Sequence, residues 1–195
     1  RVKMSLEEEV KKDVRRWSEI YLEVPNVHLG GYPACPFAKK TWTDNKVVVG
    51  VKRKHKWYKS ELNGYLKHLD FSVHELLIFC DPYFNYSLED FQTAIDEYNY
   101  WYNKKDIFFM GFHPSNPANE EEQEFLVTPN GSTPIIEDSL NYSMMLAQKF
   151  SQLQEASDKL HKAGYYKKWP KGYYRDVVVS RAKTYKRIFG GRHDG

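Results

Sequence analysis

Apolar residues recur along this chain in two alternating periods. Val10, Val14, Trp17 and Tyr21 lie three or four apart, which predicts a helix from near Ser5 to Pro25. Ser5 with Glu8 fits a capping box at its start. "KVVVGVKR" (46–53) is β-branched and reads as a central strand. "KWYKSELNGYLKHLD" (56–70) returns to the helical period, with Tyr58, Leu62, Tyr65, Leu66 and Leu69 on one face. "HELLIFCD" (74–81) is a second strand. "SLEDFQTAIDEYNYWYN" (87–103) is a helix capped by Ser87, and "DIFFMGFH" (106–113) is a third strand.

Strand, helix, strand, helix, strand predicts an α/β fold with a two- or three-layer sheet of three to five strands. Helices of about 15 residues between short apolar strands favour parallel pairing. A ferredoxin-like antiparallel sheet is the alternative. Residues 114–134 break the rhythm with four prolines and the acids Glu120, Glu121, Glu122 and Glu124. Loops this long tend to be functional or disordered, and "EFLVT" within this one suits a short edge strand. A long helix is then expected from about Glu137 to Ala163, with Leu140, Met144, Ala147, Leu153 and Leu160 inward and Gly164 as its stop. A further helix carries Tyr174, Val178, Tyr185 and Phe189 in register. The division expected is an α/β domain over 1–164 with a helical tail, 165–195, packed on it.

Charge sharpens that division. The 195 residues carry a net +3, but residues 165–195 hold +7 and the remainder −4. In the tail Tyr165, Tyr166, Trp169, Tyr173 and Tyr174 interleave with lysines. Rings among cations suit single-stranded nucleic acid. They equally suit a tail whose rings seal a core while its lysines reach water. Two cysteines are too few for a disulfide framework and point to a reducing, cytoplasmic setting. No apolar run approaches the ~20 residues of a membrane span.

Chemistry in a parallel α/β sheet gathers beyond the carboxyl ends of the strands. Those ends carry Lys54 and His55, then Asp81 before Pro82, then His113 before Pro114. Asp81 and His113 are therefore candidate site residues. Cys35, in "GGYPACPFAKKTW" (30–42), is the third. A helical turn beginning at Pro36, with Lys39 and Lys40 beyond, would lower its thiol pKa. "CPFA" holds no second cysteine, which excludes a dithiol mechanism through this motif. Cys80 suits a core position. The histidines form no zinc-spaced pair, Gly-rich phosphate loops and G-x-S-x-G are absent, and nothing names a cofactor.

Two resemblances bear on these residues. "YPACPF" and "STPIIED" look like the active-site turn and proline loop of glutaredoxin-like proteins. The order of elements opposes that fold, since a Val-rich strand begins about ten residues after the cysteine. "CPFAKK", "VVVGV", "GFHP" and "NGSTP", in that order over roughly residues 10 to 155, resemble a family of short bacterial proteins whose reaction is not known. Gly131 stands where that family tends to have arginine. The resemblance implies that Cys35, His113, Asn130 and Ser132 share a site. The leading expectation is then a small-molecule enzyme. Cys35 is its nucleophile or thiol ligand, His113 its acid or base, Asp81 beside them, and Asn116, Asn130 and Ser132 hold the substrate. The alternative is a binding or assembly protein whose basic tail meets nucleic acid or a protein partner.

Overall fold

A computed structural model describes residues 3–54, 58–83, 86–113 and 143–190. The fold is α/β. Four strands, β1 (Val47–Val51), β2 (Leu76–Asp81), β3 (Ile107–Phe112) and β4 (Ser143–Lys149), form one sheet in the order β1-β2-β4-β3. β1 and β2 pair in parallel, and β4 runs antiparallel to both β2 and β3. The sheet is therefore mixed. β1, β2 and β3 still point the same way, so their carboxyl ends share one edge.

β4 departs from the expected long helix. Met144 and Leu146 face one core and Met145 and Ala147 the other. A strand buried on both faces shows no alternation, and a short apolar run of this kind also fits a helix. Within the described part of the expected helix, residues 143–149 are strand and α5 (Phe150–Lys162) is helix. "EFLVT", Leu140 and the acidic cluster lie outside the described residues.

Helices cover both faces. α1 (Leu6–Trp17), continued by a π-helical segment (Ser18–Leu22), buries Val10, Val14, Trp17 and Tyr21 against Ile78, Cys80, Met144 and Leu146. Ser5 and Glu8 form the expected capping box: Ser5 N–H donates to Glu8 at 2.8 Å and Glu8 N–H to Ser5 Oγ at 3.3 Å. On the opposite face α3 (Tyr58–His68) and α4 (Leu88–Tyr102) bury Tyr58, Leu62, Phe91, Ala94, Ile95 and Tyr98 against Leu77, Phe79, Phe109 and Met145. Gly111 lets α4 come this close, because a Cβ there would meet the Phe91 ring at 2.5 Å. The short α2 (Ala38–Thr43) precedes β1. Among the described residues no helix is long and apolar enough to cross a membrane.

The chain after α5 packs back on the sheet. Tyr165 is buried, and its hydroxyl donates to Ala34 C=O at 2.7 Å. A helical run over residues 171–189 follows: Lys171–Tyr173, a π-helical segment (Tyr174–Val179) and α6 (Ser180–Phe189). Phe150 joins it to β3, with the rings of Phe108 at 4.8 Å and Tyr185 at 5.1 Å.

Asp106 ties the start of β3 to the start of α5. It is held in left-handed backbone at φ 62°, which Asp and Asn tolerate better than most residues. Its carboxylate accepts Ser151 N–H at 2.7 Å and Ser151 Oγ–H at 2.6 Å, and its C=O accepts Phe150 N–H at 3.0 Å. Lys149, at the N-cap of α5, supplies no side-chain bond, so Asp106 caps the helix from another element. Asp106→Ala loses the cap and strains the backbone. It should cost about 2 kcal/mol in urea denaturation, and Asp106→Asn clearly less.

Candidate functional site

The carboxyl edge of β1, β2 and β3 collects Lys52, Asp81 and His113. Lys52 and Asp81 are 2% and 3% exposed, with Lys52 Nζ 3.5 Å from Asp81 Oδ2. Tyr83 N–H donates to Asp81 Oδ1 at 3.0 Å, while no hydrogen bond reaches Oδ2. The Lys52 ammonium stands 5.7 and 5.8 Å from the Tyr83 and Tyr86 rings. Burial, with the charge of Asp81 adding to it, pushes the Tyr86 phenol up to about 12. His113 Nε2 lies 3.1 Å from Tyr86 C=O, and its ring packs by Phe91 at 5.3 Å. A carbonyl only accepts, so Nε2 carries the proton of this bond and Nδ1 is the remaining nitrogen.

Asp81 and His113 are thus brought to one edge, both against Tyr86. The cavity beside them, walled by Tyr58, Phe91 and Ser143 among others, is about 10 Å³, room for no more than about one water. Among the described residues this cavity has no room for a substrate.

Cys35 lies elsewhere. Its N–H donates to Leu22 C=O at 2.9 Å, and Leu22 packs on the α1 face of the sheet. His113 touches Phe91 on the other face. Their backbone and ring neighbours thus lie on opposite faces of the sheet. The thiol is also not activated as the sequence suggested. The backbone N–H groups of Phe37 and Ala38 favour the thiolate, but burial outweighs them and pushes the thiol up. Lys40 is drawn off into an ion pair with Asp44. Cys80 is core, its thiol also pushed up by burial. Asn116, Asn130 and Ser132 lie outside the described residues.

The open space is at the other edge strand. A groove of about 1100 Å³ runs along the outer edge of β3. Its floor is Phe108–Phe112. One wall is α4, through Gln92, Asp96, Asn99 and Tyr100, with Asn103 just after it; the other is the helical run 171–189, through Tyr173, Asp176, Ser180, Arg181, Thr184 and Arg187. Both walls are single helical stripes and the floor is one strand, so the groove is roughly 20 Å long. Asn99 crosses it: its Nδ2–H donates to Phe109 C=O at 2.9 Å and its Oδ1 accepts Phe109 N–H at 2.8 Å.

Charge in the groove is uneven in its availability. Asp176 pairs with Arg175 at 2.9 Å, and Asp96 accepts Gln92 Nε2–H at 3.1 Å. Among the described residues Lys104, Arg181 and Arg187 pair with no carboxylate. Arg181 is 8% exposed; it donates to Ser157 Oγ at 3.1 Å, and its buried Nε–H donates to nothing. Desolvation lowers its pKa from the ordinary arginine value. The sequence held a signal of this. Arg181 stands on the same helical stripe as Tyr174, Val178 and Tyr185, a lone charge on an apolar face.

Comparison with protein families, with curated proteins and with solved structures finds no match. The resemblance to the short bacterial proteins therefore rests on its motifs alone.

Two measurements follow from the first two sites. Lys52→Met strands the Asp81 carboxylate and should cost about 3–5 kcal/mol in urea denaturation, whereas Lys52→Met with Asp81→Leu recovers most of that loss. Cys35 should react with iodoacetamide far more slowly in the folded protein than in urea at pH 8.5. The folded thiol keeps its proton above the ordinary cysteine range, so ionisation of the unfolded chain's thiol lowers stability as pH rises through that range. Equal rates in the two states would contradict a thiol held protonated by its half-buried position.

Proposed function

We propose that this chain is a binding protein that grips an acidic segment of a protein partner in the groove between α4 and the helical run 171–189. The observation that carries this reading is the groove itself, roughly 20 Å long, whose cations are unpaired while its carboxylates are engaged by neighbours. Tyr100, 68% exposed, stands at its α4 wall as an aromatic anchor, with the Trp101 ring in edge contact behind it at 5.0 Å.

Nucleic acid fits less well. Asp96 and Asp176 share the groove with the cations and repel a continuous phosphate backbone. Much of the tail's aromatic surface is also committed: Tyr165 packs against Tyr166 at 5.1 Å and Trp169 at 5.7 Å. The single-thiol enzyme has no comparable support, because Cys35 holds its proton and the carboxyl-edge cavity among the described residues has no room for a substrate.

A displayed library of random peptides tests the reading. Enriched peptides should be rich in Asp and Glu. They should lose at least about tenfold in affinity to Thr184→Trp, which fills the groove, and to Arg187→Glu, which reverses one wall charge. Enriched peptides that bind both variants as tightly as the natural chain, or that a single-stranded oligonucleotide displaces, would overturn it.

A further inference from the structure

The outer edge of β3 says how such a segment is held. In an antiparallel ladder the N–H and C=O of one residue face the same side, and successive residues alternate. Phe109 gives both groups to Asn99, on the groove side. Ile107 and Gly111 therefore also face outward, while Phe108, Met110 and Phe112 face β4. The Asn99 carboxamide meets Phe109 with one acceptor and one donor, as a neighbouring strand's peptide group would. It blunts the edge at one residue and leaves the exposed Gly111 beside it. The bases unpaired on one wall add a place for negative charge: Arg181, with its orphaned buried Nε–H, and Arg187. Asn103 Oδ1, also buried and without a hydrogen bond, offers an acceptor to a donor group in the same groove.

We infer that the partner segment binds as an added strand: an extended acidic peptide displaces the Asn99 side chain, pairs its backbone with Phe109 and Gly111, and sets a carboxylate on Arg181. A strand of about six residues matches the ~20 Å groove. Backbone pairing supplies affinity without regard to side chains, and the carboxylate selects among sequences. Asn99 acts here as a latch, because its two bonds compete with the ligand's.

This inference rests on the groove being the binding site, and the experiment separates the two. The probe is the tightest peptide from the library, synthesised with one backbone amide N-methylated at a time. Its affinity is measured for the natural chain, for Asn99→Ala and for Thr184→Trp. Strand addition predicts that alternate methylations cost at least about tenfold and the intervening ones little, because only every second amide faces the edge. It predicts that Asn99→Ala binds severalfold tighter, since the latch no longer competes. Uniform tolerance of methylation, or weaker binding by Asn99→Ala, with Thr184→Trp still abolishing affinity, overturns strand addition and leaves the groove as the site. Binding indifferent to Thr184→Trp, or no peptide bound at all, overturns both.

Discussion

Insertion of β4 between β2 and β3 is the constraint on which the rest of the structure depends. Ser143 through Ala147 are buried in succession, and their side chains go alternately into the two cores. Met144 and Leu146 complete the layer under α1; Met145 and Ala147 complete the layer under α3 and α4. Without β4, β2 and β3 would lack a common partner, and each core would lose its middle. Burial of several large apolar side chains at about 1.5–3 kcal/mol each makes β4, together with β2, a main contributor to both layers.

The same insertion makes β3 an edge. Among the described residues no strand pairs with its outer side, and the helices on the two faces rise beyond it as walls. Asp106 and Phe150 fix where the second wall can start, because they lock the beginning of α5 to the beginning of β3. Phe150 then carries Tyr185 and Phe189. The groove is thus a consequence of sheet order and of one helix cap. Its chemistry comes from side chains that the core does not need: Asn99 on α4 and Arg181 on the C-terminal run. At the carboxyl edge, where α/β sheets commonly keep their sites, the described residues Tyr58, Tyr86, Lys52 and Asp81 instead fill the space.

Much of the frame was legible in the chain. The four apolar positions of α1, the strands 47–51, 76–81 and 107–112, and the faces of α3 and α4 follow from periodicity, because each has one wet side or a clean β-branched run. β4 was not legible, since burial on both faces erases the period that separates strand from helix. The sheet's mixed direction followed from β4 and was hidden with it. Asp81 and His113 were placed at one edge by the rule for strand ends, but the rings that fill the space there come from distant segments. Cys35 looked activated because its local sequence supplies lysines and a turn. Its sulfur is governed by burial under other elements, which local sequence does not encode. The groove was invisible for the same reason, although a lone Arg181 on an apolar stripe marked one of its walls.

Native-state hydrogen exchange at β3, in the free protein, tests the open edge most directly. The account predicts that the Met110 amide, bonded to β4, exchanges among the slowest in the molecule, while the Gly111 amide one residue on exchanges orders of magnitude faster. Protection of Gly111 equal to that of Met110 would contradict it, because the outer edge would then already be paired.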